Sequence, residues 1–337
     1  MLLKIKSSYI IKIISKNILQ KKLLQLFNHS KNIQKKLSLS IEDFKEFFNQ
    51  IILELYPKKD YSINNGTHMF INRNNETALY KIYFNNNEKE EIKRNFLNEY
   101  DKDIFKIKVV INNNYDKSLK GLFKSCECLQ RIDFIKFNRT DIINMGEMFS
   151  GCISLENIFF NNIDTRNVIS MNDMFNACEN LLSLDLSKFK TNNVTNMASM
   201  FSWCKKLKKL DLSNFELDHI KGMNDMFFEC TSLENVKLNT LIINKKINFL
   251  DMFSGCNNLE KIIIGNIRGI NTENVFNKMN ISLKKTKVVV IGFKYEKKIK
   301  IFNDKKKNYN DELSDEETNI TSEKNCIPYN LNDYHFL

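Results

Sequence analysis

Apolar residues recur along the middle of the chain at a constant step of 26 residues. Six phenylalanines and six cysteines follow this step, and a leucine stands three residues after each cysteine. These residues are Phe123, Phe149, Phe175, Phe201, Phe227 and Phe253, and Cys126, Cys152, Cys178, Cys204, Cys230 and Cys256. A period that holds without insertions is typical of a stacked repeat array, in which one unit cannot bury its apolar face alone. The pattern therefore predicts a solenoid with these phenylalanines and cysteines in its core.

Two shorter periodicities alternate within each copy. In the third copy, Val168, Met171 and Met174 follow the spacing of a helix, whereas Leu184 and Leu186 follow that of a strand with one buried side. Each unit is thus predicted to contain one turn of helix-like chain and one strand. Stacked units would align their strands about 4.8 Å apart in a parallel sheet. The predicted fold class is an α/β solenoid of 26-residue units over residues 118–302, including a C-terminal cap.

The segment before the repeats, residues 1–56, has apolar residues at steps of three and four and predicts α-helices. The second helix is the better marked, because Ser40 is a plausible N-cap and Pro57 would end it. Such a helical segment must pack against another part of the molecule.

Residues 57–117 predict a small α+β capping module that covers the open end of the array. The pattern favours strands near 69–71, 79–84 and 105–111 and a charged helix over 88–97.

The end of the chain predicts closing strands and a tail. Apolar runs at 288–293 and 298–302 favour one or two strands that close the array. Residues 303–337 are mostly polar and charged, which predicts a disordered tail.

Composition and charge narrow the function classes. Hydrophobic residues make up 42% of the 337 residues, enough for a substantial core. The net charge of +11 raises the possibility of a nucleic-acid or anionic-surface partner. However, the lysines are scattered and arginine is not enriched, so a general compositional bias explains the charge better. A nucleic-acid partner is therefore not the favoured expectation.

The N-terminal sequence predicts neither export nor membrane insertion. Lys4, Lys6, Lys12 and Lys16 interrupt its apolar runs before a signal core can form. No stretch approaches the ~18 consecutive apolar residues of a membrane span. The expectation is a cytoplasmic protein without a transmembrane segment.

The cysteine spacing predicts buried, reduced thiols. A 26-residue step aligns the thiols along an axis, whereas zinc needs four ligands that converge from short paired spacings. The four histidines lie in different parts of the chain, and no phosphate loop, nucleophile motif or carboxylate pair stands out. The sequence therefore predicts no enzymatic activity, no metal and no cofactor.

Residues on the outward side of the predicted strands are the candidate partner-binding positions. Because strand side chains alternate, inward Leu184 and Leu186 imply an outward row in every copy. Phe159 beside Arg131 is the favoured anchor, since exposed aromatics and arginine dominate many interfaces, although ordinary surface variation is the alternative. Trp203, the one tryptophan, is a further candidate, with local packing as its alternative. The full candidate set is Arg131, Asp133, Phe159, Asp185, Trp203, Lys209, Asp211, Lys237 and Lys261.

The repeats resemble a known family. The run MFNACENLLSLDLSKFKTNNVTNMASMFSWCKKLKKLDLSNF, from Met174 to Phe215, is similar to BspA-like leucine-rich repeats of the Met-Phe-x-x-Cys-x-x-Leu-x-x-Leu-Asp-Leu-Ser subtype. That subtype occurs in bacterial surface proteins and in many protist proteins, and the resemblance covers roughly Ser118 to Ile267. It implies a leucine-rich-repeat solenoid that binds proteins and has no enzymatic activity, with the cell surface as an alternative location.

Four functional hypotheses follow. The leading one is a protein that binds a protein partner through the outward face of its parallel sheet. The alternatives are an F-box-like adaptor that recruits a partner through its N-terminal helices, a cell-surface BspA-like adhesin, and a nucleic-acid or anionic-surface binder that uses the basic N-terminus. The identity of the partner and the oligomeric state are left open by the sequence.

Overall fold

The computed structural model describes residues 50–59, 66–72, 80–112, 117–243, 247–269, 278–281, 286–291 and 299–302. Every element with defined bounds in these ranges is a strand. The strands are β1 (Ile51–Pro57), β2 (His68–Met69), β3 (Tyr80–Phe84), β4 (Phe96–Leu97), β5 (Ile107–Ile111), β6 (Leu129–Phe137), β7 (Asn157–Phe160), β8 (Lys209–Leu212), β9 (Asn235–Ile243), β10 (Lys261–Gly269), β11 (Lys287–Ile291) and β12 (Ile299–Phe302).

The 26-residue period corresponds to a β-solenoid of about six turns. One parallel backbone bridge joins each coil to the next at the same repeat position. The bridged residues are, in order, Ser118, Asn144, Ser170, Asn196, Gly222 and Asn248. The predicted solenoid is therefore confirmed.

The segment with helical spacing does not form a helix, so this part of the α/β prediction was wrong. The backbone N–H groups of Met145 and Phe149 donate to the carbonyls of Ser170 and Met174 in the next coil, at 3.0 and 2.9 Å. In an α-helix these donors would bond four residues back along their own chain. Two residues in each coil also have positive φ, such as Asp173 at 53°. Left-handed residues and hydrogen bonds between coils thus replace the predicted helical turn.

The repeated phenylalanines form a continuous stack through the core. Successive rings lie 5.0–5.6 Å apart between centroids, and their planes differ by at most 11°. All six rings are buried. Parallel rings at this spacing are the offset-stacked arrangement that aromatic pairs prefer. The constant period is what lets each ring meet the equivalent ring of the next coil.

The repeated cysteines form a second ladder beside the phenylalanines. The thiol of Cys152 donates to the carbonyl of Phe123, one coil earlier, at 2.9 Å, and Cys204 donates to Phe175 at 3.2 Å. Cys178, Cys230 and Cys256 repeat this contact. The seven cysteines in the described part of the chain are all free thiols. A cysteine fits this position because it is small, largely apolar and still able to donate a weak hydrogen bond.

The strands form two five-stranded sheets and a short antiparallel pair. The first sheet has the order β3-β5-β1-β6-β7 and the second β12-β11-β10-β9-β8, while β2 pairs with β4. The third copy forms no strand around Leu184 and Leu186, so the outward face is not one continuous sheet as predicted. The carboxylate of Asp185 accepts the N–H of Ser187 at 2.9 Å. Local side-chain bonds of this kind compete with a strand ladder.

Residues 51–57 form strand β1, which contradicts the predicted second helix. Strand β1 lies between β5 and β6 and pairs with both in antiparallel register. Its side chains alternate, with Ile51, Leu53 and Leu55 fully buried. The remainder of the predicted helical segment lies outside the described residues, as does the predicted tail at 303–337.

The capping module contains strands where it is described, and its predicted charged helix is wrong. Strands β3 and β5 lie where strands were expected. Within the expected helix, however, Ile92 forms a bridge with Ile82, and Phe96–Leu97 pairs with β2. Pairing with neighbouring strands overrides the helix propensity of this charged stretch. The cap also contacts the first coil, where the thiol of Cys128 donates to the carbonyl of Met69 at 3.3 Å.

Candidate functional site

Three side chains on the outward side of the first sheet form a cation–π sandwich. The guanidinium carbon of Arg131 lies 4.9 Å from the ring centroid of Tyr56 and 4.8 Å from that of Phe159. Strand pairing produces this contact, because Tyr56 is opposite Arg131 and Phe159 is opposite Asp133. We call Tyr56, Arg131 and Phe159 the aromatic clamp.

Asp133 fixes the orientation of the central guanidinium. Arg131 Nε donates to Asp133 Oδ1 at 2.8 Å, and Nη2 donates to Oδ2 at 2.6 Å. Only 6% of Asp133 is exposed, whereas about half of the Arg131 side chain is accessible. A bidentate pair of this kind adds geometric specificity as well as energy. The clamp therefore presents aromatic rings and a charge-compensated cation in one fixed arrangement.

A hydrogen-bonded network supports the Tyr56 side of the clamp. The Tyr56 hydroxyl donates to Glu54 Oε2 at 2.8 Å, and Lys106 Nζ donates to Glu54 Oε1 at 3.0 Å. Burial raises the pKa of Tyr56 to about 12, and the hydrogen bond to Glu54 acts in the same direction. Burial also raises the pKa of Glu54, but the hydrogen bonds from Tyr56 and Lys106 outweigh it, so that pKa lies below its ordinary value. At neutral pH the phenol is a donor and the carboxylate is ionised.

The network predicts an unusual titration of Tyr56. The phenolate absorbance of Tyr56 is the part of the signal that Tyr56→Phe lacks. In the unmodified chain it should appear with a midpoint near pH 12, about two units above that of an ordinary tyrosine. In Glu54→Gln this midpoint should fall but stay above 10, because burial is the larger cause. Ultraviolet difference titration of the three proteins, read within milliseconds of a stopped-flow jump to each pH so that the folded chain is observed before it unfolds at alkaline pH, measures this midpoint. A Tyr56 midpoint at 10 in the unmodified chain would contradict the described network.

Exposed apolar surface lies beside the clamp. Phe159 is 47% exposed and Ile135 is 46% exposed. Ile135 is the extra residue of a β-bulge, because Leu53 pairs with Phe134 and Ile52 pairs with Lys136. Bulges often redirect a side chain at the edge of a functional surface. Here the bulge adds an outward isoleucine to the aromatic face.

The other outward candidates do not join the clamp, and all of them except Asp185 belong to the second sheet. Lys237 Nζ lies 3.1 Å from Asp211 Oδ2, so these two residues pair between adjacent strands. Lys209 of β8 and Lys261 of β10 both pair with Asn235 of the central strand β9, one from each side. Asp185 lies in the third copy, between the two sheets. The structure thus brings together Arg131, Asp133 and Phe159 of the predicted set and leaves the others in separate pairs or rows.

Trp203 lies in a turn and not on a strand. It has a positive φ of 61°, and its ring centroid is 6.0 Å from that of Phe228. The ammonium of Lys205 lies 5.0 Å from the tryptophan ring centroid. The ring is partly exposed, and its role in binding stays a prediction.

Tyr56, Glu54 and Lys106 are the site residues that sequence reasoning missed. Glu54 and Tyr56 were missed because residues 1–56 were assigned to helices, whereas Lys106 lies in a predicted strand at 105–111 that was not connected to any site. The strict alternation of Ile51, Leu53 and Leu55 with less buried residues was the signal that could have identified a strand.

Within the described residues, no group of three or more His, Cys, Asp or Glu side chains is placed to hold a metal ion. The same part of the chain has no helix long and apolar enough to cross a membrane.

Comparison with known proteins gives one family. The model of the family described as "Mycoplasma protein of unknown function, DUF285" matches residues 117–240 and 209–314, which together span more than half of the chain. No curated protein matches the sequence. The crystal structure of the T. pallidum leucine-rich repeat protein (TpLRR) is similar at 17% identity over 48% of this chain and 74% of that chain, with a TM-score of 0.32. At this TM-score the likeness carries no argument, and the solenoid is defined by its own backbone bridges.

Proposed function

The chain belongs to the family described as Mycoplasma protein of unknown function, DUF285, and we propose that it is a non-enzymatic protein that binds another protein through the outward face of its first sheet. The observation that carries this proposal is the aromatic clamp. Its rings and guanidinium are exposed enough to touch a partner, and Asp133 and Glu54 hold Arg131 and Tyr56 in place. The repeats that support this face form a leucine-rich-repeat-like solenoid.

Preorganisation is the physical reason to place binding at the clamp. Association costs about 0.5–1.5 kcal/mol for each flexible side chain that becomes fixed. Tyr56 and Arg131 are already fixed by hydrogen bonds, so little of this cost remains. Tyrosine and arginine are also among the residues enriched at energetic hot spots of interfaces. The clamp therefore combines suitable chemistry with a low ordering cost.

The repeat subtype and the compartment are part of the proposal. We assign the repeats to the BspA-like Met-Phe-x-x-Cys subtype, because the phenylalanine stack and the thiol-to-carbonyl ladder give the constant spacing of its Phe and Cys residues a structural role. Free thiols at all seven described cysteines fit a reducing compartment such as the cytoplasm. Protease treatment of intact cells, followed by detection of the chain, separates this location from the cell-surface alternative.

Site-specific photo-crosslinking tests the binding face. A benzophenone amino acid replaces Phe159 in the full chain, and a matched variant carries it at Leu250, which is similarly exposed but distant in the repeat order. After irradiation in a lysate of the source cells, we expect a crosslinked protein at position 159 and none at 250. Adding Arg131→Ala should lower the yield by about tenfold or more, as expected for a hot-spot residue.

One control and one contradicting outcome make the result decisive. A thermal melt of each variant shows that loss of crosslinking is not loss of the fold. A crosslink that forms equally at both positions, or that is unchanged by Arg131→Ala, would reject the clamp as the binding site.

A further inference from the structure

A groove of about 910 Å³ begins beside the aromatic clamp. Its lining includes Ile135, Phe160, Ile163, Arg166, Lys188 and Lys190. The groove therefore spans the end of strand β6, the end of strand β7 and the third copy, which has no strand.

Unequal strand lengths create the groove. Parallel pairing between β6 and β7 stops at Phe134 and Phe160, although β6 continues to Phe137. The chain after β7 turns away through Asn162, which has a positive φ of 57°. The last residues of β6 therefore lack a parallel neighbour on this side, and the space beside them stays open.

The floor of the groove is apolar and rigid. The ring of Phe160 packs between those of Phe134 and Phe189, with centroids 5.0 Å away on both contacts. Ile135 lies beside it and is directed outward by the bulge. An incoming apolar side chain can bury both residues without first ordering them, which lowers the cost of binding.

The rim of the groove is cationic. Lys188 and Lys190 are exposed, and neither has a carboxylate within 4.0 Å in the described part of the chain. Arg166 differs, because its Nη2 lies 2.9 Å from Asp164 Oδ2. The backbone of Lys190 is fixed by Thr165, whose hydroxyl donates to the Lys190 carbonyl at 2.8 Å and accepts its N–H at 2.7 Å. Two ammonium groups without a close ion pair thus stand beside an apolar floor, although Lys188 also interacts at longer range with the carboxylate of Asp185.

We propose that this groove binds an acidic, extended peptide segment of the protein partner. One apolar side chain of that segment would cover Ile135 and Phe160, and its Asp or Glu side chains would pair with Lys188 and Lys190. The inference rests on the proposed function and names the chemistry of its partner. Single-stranded nucleic acid fits less well, because base stacking needs an accessible aromatic face and the Phe160 ring is packed between two others.

Peptide display supplies the probe. A random library of 12-residue peptides is selected on the full chain, and enriched peptides are synthesised with a fluorescent label for anisotropy titration. We expect enriched peptides to carry two or more carboxylates near one apolar residue. Lys188→Glu with Lys190→Glu should raise Kd by about tenfold or more, because reversing charge next to a carboxylate replaces attraction with repulsion.

A matched charge reversal distinguishes the effect of the groove lysines on peptide binding from the effect of the overall charge of the chain. Lys206→Glu with Lys221→Glu also changes two exposed lysines to glutamates, yet lies outside the groove, and should change Kd by less than about threefold. Enrichment of neutral or basic peptides, no enrichment, or equal effects of the two double variants would overturn the inference. Labelled oligouridylate that binds in place of acidic peptides, with the same dependence on Lys188 and Lys190, would overturn it as well.

The failure of this inference is distinguishable from failure of the proposed function. If the selected peptides depend on Arg131 and Phe159 but not on Lys188 and Lys190, the groove is rejected and the binding face stands. If neither pair affects binding and position 159 gives no specific crosslink, both proposals are wrong.

Discussion

Replacing Phe201 with alanine is expected to lower the free energy of unfolding by about 3–5 kcal/mol, the range found for large aromatic residues in well-packed cores. Phe201 is fully buried in the middle of the stack, with the rings of Phe175 and Phe227 at 5.6 and 5.5 Å. Alanine would remove two stacking contacts at once and leave a cavity. The backbone around that cavity is tied to both neighbouring coils by hydrogen bonds, so it cannot collapse freely.

Phe159→Ala is the matched control, because it makes the same chemical change at a ring that is nearly half exposed. Its cost should stay near 1 kcal/mol or below, which is the size of an exposed cation–π contact. Urea unfolding followed by circular dichroism and by fluorescence of Trp203 measures both variants. A cost below about 1.5 kcal/mol for Phe201→Ala would mean that the stack contributes little to stability.

The core could be predicted from the sequence because stacking requires the same residue at the same position in every coil. The interval between Phe149 and Phe175 directly reports the length of one turn of the solenoid. Burial of Met171 and Met174 follows from the same period, whatever local conformation carries them. The repeat period thus reports contacts between coils, and the structure contains these contacts.

The local conformation could not be read in the same way. A step of three residues from Met171 to Met174 places both side chains on one side of a helix, but also on one side of a chain bent by left-handed residues. The choice between them depends on whether the backbone bonds to itself or to the next coil. The stacking of coils decides between these two conformations, and a short window of sequence gives no information about that stacking.

The sequence predicted only part of the candidate site, and the reason is again the difference between local and long-range contacts. Alternation within a copy placed Arg131 and Phe159 on the outward side, and this needed no knowledge of distant contacts. Tyr56 completes the clamp from a strand more than 70 residues earlier, and its segment had been assigned to a helix. Cross-strand pairing of β1 with β6 is a long-range feature, so the sandwich itself was not predictable.

The buried thiols predict a steep loss of stability above about pH 8.5, where thiols ionise in the unfolded chain. Burial raises the pKa of six thiols in the folded chain, to about 12 for Cys128. The unfolded chain therefore binds fewer protons than the folded chain as pH rises, and the free energy of unfolding falls. Each thiol contributes about 1.4 kcal/mol per pH unit, so six approach about 8 kcal/mol per unit.

The sign and the window follow from the direction of these shifts. A raised folded-state pKa gives stability that is complete below the unfolded value and is lost as pH rises through the interval between the two values. Between about pH 8.5 and 10 the thiols dominate, because ordinary tyrosines and lysines ionise at about 10 and above. Urea unfolding at several pH values in this window, with a non-thiol reductant present, gives the slope.

Cys204→Ala isolates the contribution of one thiol of the cysteine ladder to this pH dependence. The slope of the free energy of unfolding against pH should become shallower by about 1.4 kcal/mol per pH unit. This holds whatever the substitution costs in stability at neutral pH, because the slope depends on the difference in bound protons between the two states and not on packing contacts. Met200→Leu is the control, since it alters a buried neighbour without removing an ionisable group, and its slope should match that of the unmodified chain. If Cys204→Ala leaves the slope unchanged, the thiol of Cys204 ionises equally in both states, and the ladder is not the closed, water-free column that its hydrogen bonds and burial imply.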